Sequence, residues 1–413
     1  MRKRFGVFGL VLACALLMGF AVAQVTLNFW SWRTEDVAAY RELIDQFEAE
    51  NPDIKVEFQA FEFATYATVQ MTALLAGEGP DIVHVRAYGA FEAIAAPGFL
   101  MALDDKVPAL ADFPPLALDG NRLRRDGLVY AVPFASQTLV IYYNVDIFEE
   151  LGLALPETWD EFLDTAEQIK AAGYVPIANG TATSSMNEVL KGVFAPSFYG
   201  PDFFDDIMTG EATFEDPRYV GALEKLLELA PYLAPQHQGV DYPTSQNLFV
   251  NELAAMFVSG SWDIANLRLQ NPDLNFGVMA PPVPEAGQTP LVSWFLDGGF
   301  AVNADTKHLE EAVTFVNYLA SREFGQLFTD LLANISPIPG VVSTDPLLAK
   351  VAELNQNSTP YIMLVGFRYQ EPSGSVLVQE RLASMLAGTI TPAQVAKEVT
   401  EGIATYFEPF QNR

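Results

Sequence analysis

Hydrophobic and polar residues alternate at positions 25–30, Val-Thr-Leu-Asn-Phe-Trp, the period of a strand with one buried face. The period then lengthens. Val37, Tyr40, Leu43, Ile44 and Phe47 share one face of a helix that Thr34 can cap and Asn51-Pro52-Asp53 stops. Ile54, Val56 and Phe58 alternate again. A helical run through Met71, Leu74 and Leu75 ends at Gly77-Glu78-Gly79-Pro80, and residues 81–85 read as a third strand. Strand, helix, strand, helix, strand predicts an α/β unit with a parallel sheet and right-handed crossovers.

Beyond residue 127 the spacing predicts extended segments at 130–133 and 138–143. Thr158-Trp159-Asp160-Glu161 has the form of a capping box and predicts a helix to about Ala172. Further helices are expected at 220–230, 245–255, 308–320, 322–332, 376–387 and 392–407, the last opened by Thr391 with Pro392 at its first position. The proline-rich piece 281–290 reads as a surface loop before a strand. No short repeat, heptad run or low-complexity linker interrupts the chain. An α/β chain of this length forms either two domains with several crossings or one large barrel, and periodicity leaves both open.

The N-terminus adds a location. Arg2, Lys3 and Arg4 precede an apolar run, Phe5 to Phe20, and Ala21-Val22-Ala23, the pattern of a secretory signal peptide cut before Gln24. Val11-Leu12-Ala13-Cys14 loosely resembles a lipid-attachment motif, which would anchor the protein at the cell surface. Leu12 suits that motif poorly and the chain stays apolar past Cys14, so Cys14 reads as an ordinary residue of the signal core. Removing 23 of 413 residues leaves 390 without a cysteine, so disulfides and thiolate metal sites are excluded. His84, His237 and His308 have no metal-ligand spacing, and neither a metal nor a cofactor is expected. Past the leader, 20 basic residues face 52 acidic ones, a formal charge of −32. That balance argues against nucleic acid, anionic membranes and anionic ligands, and suits neutral or cationic ones.

Five segments carry a resemblance. They are GEGPDIVHVRAYGAFEAIAAPGFLMALDD at 77–105, Gly-x-x-Tyr-x-x-Pro … Tyr-Tyr-Asn at 127–144, and Asn-x-Asp-x-Phe-x-x-x-Gly-Leu … Pro-x-Thr-Trp-Asp-Glu-Phe at 144–162. LFVNELAAMFVSGSWD follows at 248–263, then Gly-Gly-x-x-Val and Glu-Ala-x-x-Phe-x-x-Tyr-Leu within 293–324. In this order, from about residue 25 to at least 340, they resemble the extracellular solute-binding proteins of carbohydrate ABC transporters, the maltose-binding-protein-like group. The resemblance implies a type II periplasmic-binding-protein fold, two α/β lobes joined by a multi-strand hinge with the ligand cleft between them. It places crossings near Pro133–Tyr142, near Asp297–Val302 and after about Gly340. Lobe 1 would then hold 24–135 plus 298–341, and lobe 2 136–297 plus 342–413. It further implies a monomer, periplasmic or extracellular, that is not an enzyme. Such a protein captures a mono- to oligosaccharide and delivers it to the permease subunits of an ABC importer by hinge closure. The alternatives are the same fold binding a polyamine or other non-sugar solute, and a secreted glycoside-active enzyme using an Asp/Glu pair.

A neutral sugar is held by aromatic platforms and a few fixed donors and acceptors. The resemblance places contacts at loops leaving the C-terminal ends of strands. Trp30 and Trp32, with Ser31 and Arg33, leave the first strand there; one tryptophan would line the cleft and the other pack. Arg86 and Tyr88 follow the third strand, and Ser136 and Gln137 lie at the first crossing. Trp262 and Asp263 follow Ala-Met-x-x-x-Gly, where the family carries an aromatic stacking residue, making Trp262 the leading candidate. Trp294 and Asp297 precede the second crossing with Gly298 and Gly299, glycines that either let backbone approach the ligand or relieve strand crowding. Arg368 belongs to the last cleft loop. Trp159, first in its helix, reads as packing. Tyr142 and Tyr143 read as core or hinge rather than as an iron-binding pair.

Overall fold

In the computed structural model, which describes residues 24–411, two β-sheets each carry their own helical cover. The expected leader at 1–23, Cys14 included, lies outside the described residues. The strands are β1 Val25–Ser31, β2 Ile54–Ala60, β3 Ile82–Arg86, β4 Ala131–Pro133, β5 Ser136–Asn144, β6 Val175–Ile177, β7 Ala254–Gly260, β8 Phe276–Met279, β9 Val292–Leu296, β10 Gly298–Val302 and β11 Ser358–Pro360. The first sheet runs β2-β1-β3-β10-β4. The second runs β11-β9-β5-β7-β6, with β8 also paired to β5.

The expected βαβ start is present: β1 pairs in parallel with β2 and β3. The sheet is nonetheless mixed, because β10 returns from the other half of the chain and runs antiparallel to β3 and β4. Leu27, Phe29 and Ser31 of β1 point inward. Tyr40, Leu43, Ile44 and Phe47 of the helix Val37–Glu50 meet them, as their spacing requires, and Asn51 ends that helix by donating its side-chain amide to the Phe47 carbonyl at 2.9 Å. Thr34 does not cap it. Asp36 occupies the N-cap, and its carboxylate binds Arg33 rather than the helix N–H groups.

In the second half the capping box at Thr158 and Glu161 forms as expected and opens the helix Trp159–Ala171. Trp159 is buried among Phe162, Phe194 and Phe198 and donates its indole N–H to Glu228 at 2.7 Å. Thr391 and Gln394 form a second capping box ahead of Pro392–Ala404. The helix expected at 245–255 stops at Val250 and begins at Tyr242, since Ala254–Gly260 is buried throughout and enters the second sheet as β7. A helix over Ser184–Phe194, which no periodicity announced, is buried from Met186 to Phe194 beneath that sheet.

The chain passes between the sheets through Phe134-Ala135, from β4 to β5, and again at Asp297, from β9 to β10. After the helix Arg322–Leu332, Ile335 bridges to Ser136 and Ile338 packs into the first core. Pro346–Asn355 then packs on the second sheet.

Candidate functional site

Three of the expected residues converge on the carboxylate of Asp297 at the second passage. Arg33 lies 3.8 Å from it and Arg86 3.5 Å, and the Gln137 amide donates to it at 3.4 Å. Arg33, only 4 % exposed, also meets Asp36 at 2.5 Å and Glu35 at 3.3 Å. Burial works against its charge, but Asp36, Glu35 and Asp297 together outweigh burial and hold the guanidinium cationic. Arg86, at the end of β3, lies between the rings of Trp32 (5.2 Å) and Phe63 (5.1 Å). Burial lowers its pKa; Asp297 opposes this, and Arg368 and Arg33 add to it. The cluster is charged but internally matched.

The tryptophans of β1 divide unequally. Trp32 is buried and stacks on His84 with ring centres 4.0 Å apart. Trp30 is half-buried against Phe61 at 4.8 Å. Burial, helped by Arg33 and Arg86, pushes the His84 pKa well down and keeps its imidazole neutral; Ser31 Oγ lies 2.8 Å from its Nδ1.

Gln137 is fully buried and does not reach the cleft surface. Its amide donates to Asn334 Oδ1 at 2.8 Å as well as to Asp297, and its carbonyl oxygen accepts from Ser261 at 2.7 Å. One side chain therefore ties the first passage to the second and to the start of the third. Gly298 and Gly299 answer to strand crowding. A Cβ on Gly298 would sit 2.1 Å from the Val85 carbonyl oxygen, and one on Gly299 would sit 2.7 Å from Asn121 Oδ1.

Tyr88 adopts φ +60°, a strained conformation for a tyrosine. It packs into the core of the second sheet, where its hydroxyl accepts from the Leu296 N–H at 3.1 Å. Beside it, a Cβ on Gly89 would lie 2.0 Å from the Arg368 carbonyl oxygen, and Arg124 sits 3.2 Å over the Tyr369 ring. The two halves thus touch directly next to the second passage. Arg368 reaches back to the buried Glu188, which also accepts from Ser375 and Gln379.

Trp262 and Asp263 follow β7. The indole lies flat against Gly260, where a Cβ would fall 1.8 Å from its ring, and packs at 6.1 Å from Phe295. Its N–H donates to the Tyr242 hydroxyl at 2.9 Å. Asp263 is buried and accepts from Tyr242 at 2.7 Å, Gln246 at 2.8 Å and Ser259. Burial pushes its pKa up to about 6 against the pull of these donors, with Glu35 from the first half adding to the rise. Trp294 stands apart. It is half-buried on the face of β9 opposite Phe295 and does not join Trp262.

Among the described residues no group of three or more His, Cys, Asp or Glu side chains is placed to hold a metal ion, and no helix is long and apolar enough to cross a membrane. Two mixed sheets joined by several passages, with charged and aromatic residues gathered where they meet, match a known family. The sequence profile of the bacterial extracellular solute-binding proteins aligns with residues 30–326. The chain belongs to this family. A curated relative, the multiple sugar-binding protein of Streptococcus mutans, is 28 % identical over 77 % of this chain and 76 % of its own. The mannitol-binding protein of Pseudomonas aeruginosa is 26 % identical over 79 % and 77 %. The solved structure of AcbH, described as a bacterial solute receptor with an exclusive preference for β-D-galactopyranose, superposes with a TM-score of 0.80 at 20 % identity, covering 93 % of this chain and all of that one. At that identity it shows the family's two-lobed fold.

Sequence reasoning passed over Glu35, Phe63, Tyr242 and Glu188. Phe63, 58 % exposed, is the third residue after β2, one place beyond the positions that drew notice after β1 and β3. Tyr242 opens a helix remote in sequence from Trp262, so nothing local announced their contact.

Proposed function

We propose that this protein captures a neutral sugar outside the cytoplasm, at the periplasm or cell surface, and presents it as a monomer to the permease of an ABC importer. The lobes would be 24–135 with 298–341 and 136–297 with 342–413. The sugar would bridge them and favour the closed form through contacts that only closure completes. The observation that carries this reading is the makeup of the cleft. Trp262 offers a partly uncovered indole braced at its edge, while the arginines nearby are already matched by Asp297, Asp36 and Glu188. That suits stacking on a sugar's C–H face with a ring of fixed donors and acceptors. The names of relatives, which include sugar- and mannitol-binding proteins, support the same class.

Binding without turnover follows from the same arrangement. Asp263, Asp297 and Glu188 each hold two or more donors, as carboxylates that serve binding and structure do, and the family's members named above are binding proteins. Calorimetry against maltotriose, raffinose, galactose, mannitol and spermidine tests the proposal. Micromolar or tighter binding of a sugar or sugar alcohol is expected, with no heat from spermidine. Binding of spermidine alone would replace the sugar by a cationic solute, which the net charge of −29, or −32 past the expected leader, accommodates.

A further inference from the structure

We propose that Tyr242 and Asp263 are positioning residues for the indole of Trp262, and that uptake of a proton by Asp263 loosens this brace and weakens ligand capture. The inference rests on the sugar-capture reading for its effect on affinity, but its geometry stands by itself.

Trp262 is fixed at two places. Its ring lies on Gly260, whose own carbonyl accepts from Tyr142 at 2.7 Å, so the surface beneath the ring is anchored to β5. Its N–H is spent on Tyr242. A tyrosine hydroxyl has one hydrogen to give. The Asp263 carboxylate, an acceptor only while ionised, takes that hydrogen, and Tyr242 is thereby left to present a lone pair to the indole N–H. Burial and the neighbouring carboxylate push the Tyr242 pKa far up, so the hydroxyl keeps its proton. Gln246 and Ser259 hold Asp263 from two further directions, Gln246 in the same helix as Tyr242 and Ser259 in β7. The indole plane is thus set by a chain of contacts that contains no ligand.

This chain is proton-sensitive because its last link is charge-assisted. A bond to a carboxylate is roughly twice as strong as one between neutral groups. When Asp263 takes a proton, its own hydrogen competes with those of Tyr242 and Ser259 for the same oxygens. The titratable groups facing Asp263 are Tyr242 from its helix, Tyr142 from β5 and Glu35 from across the cleft; Arg268, further along the helix that Asp263 opens, faces Tyr142 rather than Asp263. Arg268 is occupied by Asp345, and among the described residues no cation is paired with Asp263. Burial raises the proton affinity of Asp263 against the pull of its donors, with a smaller push from Glu35, and places the change near pH 6 rather than near 4.

The test uses the full ligand-free protein labelled at the indole nitrogens. The N–H resonance of Trp262 is assigned by its loss in Trp262→Phe, and its position is followed from pH 5 to 8. A shift with a midpoint near 6 is expected in the wild type and its absence in Asp263→Asn. Tyr242→Phe, which deletes one hydroxyl, should move the resonance upfield at every pH. It should also weaken binding of the best sugar in the panel about three- to tenfold, the range of a single hydrogen bond, with the circular dichroism spectrum of the folded protein retained. If neither variant moves the resonance, or if the wild-type shift persists in Asp263→Asn, the brace does not exist. If Asp263→Asn fails to fold, Tyr242→Phe decides alone. If no sugar binds the wild type but the resonance behaves as described, capture of sugar fails and the brace stands.

Discussion

Lys191 offers the sharpest test of how this chain tolerates charge in its interior. It lies in the buried helix Ser184–Phe194 and is itself 1 % exposed, with its ammonium 5.8 Å from the Tyr219 ring. Burial lowers its pKa from 10.5 to about 8, with Glu188 opposing the fall. Each factor of ten in proton affinity corresponds to about 1.4 kcal/mol, so keeping the charge inside at pH 7 costs about 3 kcal/mol relative to the unfolded chain. The folded state releases its proton first. Between pH 8 and 10.5 the unfolded chain binds more protons, and stability contributed through this group rises with pH across that window. Lys191→Met fills the same volume without a charge. It does not strand Glu188, which keeps Arg368, Ser375 and Gln379. The variant is expected to be more stable than the wild type by about 2–3 kcal/mol at pH 7, and by less than about 0.5 kcal/mol at pH 10.5. Urea unfolding of both proteins at the two pH values measures it, because every other titration cancels in the difference. A variant less stable at neutral pH, or a gap that does not shrink at high pH, would refute the reasoning and show that the ammonium makes interactions outweighing its desolvation.

Gln137→Leu leaves Asn334 and Ser261 without their buried partner and should cost about 1–3 kcal/mol in unfolding free energy. Small-angle scattering should show a broader spread of lobe angles for it, and an unchanged profile would deny Gln137 its part in the hinge. Gly260→Ala puts a methyl group into the Trp262 ring, so affinity in calorimetry should fall at least tenfold, about 1.4 kcal/mol, while the circular dichroism spectrum stays the same. Thr158→Ala removes a capping box from an exposed helix start and should lower stability by about 1 kcal/mol without touching affinity. The raised pKa of Asp263, about 6 against 3.8, disfavours its charge in the fold. Its contribution to stability is therefore greatest below about pH 4 and declines by about 3 kcal/mol as pH rises through 6, a slope that Asp263→Asn should flatten in thermal melts.

The alternation of β1 and β2 and the three- and four-residue spacing of Tyr40, Leu43, Ile44 and Phe47 were legible because each element keeps one face in water. The helix Ser184–Phe194 was not, for the opposite reason. It is enclosed on every side and carries Glu188 and Lys191 inward, so its sequence has no polar face to count. The site was legible in parts. Arg33, Arg86, Gln137 and Asp297 meet at one carboxylate, and Trp262 and Asp263 share one network, but Trp294 points elsewhere. Strand position told where these residues emerge. It did not tell which face each takes, since that depends on the neighbouring strand's register. The partners of Trp262 and Arg368, Tyr242 and Glu188, lie 20 and 180 residues away, a distance across which no local pattern carries information.

The position of β10 constrains how the molecule is made. β3 and β4 do not pair with each other; β10 lies between them, and it is synthesised only after the whole stretch from β5 to β9. Until residue 298 leaves the ribosome, the first sheet has a missing rung and its apolar face cannot close. The second half meanwhile waits for its last helices, Gly374–Leu386 and Pro392–Ala404, which cover its core. Neither lobe can finish before the other is nearly complete, and contacts so far apart along the chain form slowly. Such a chain remains unfinished, and therefore threadable, for most of its synthesis.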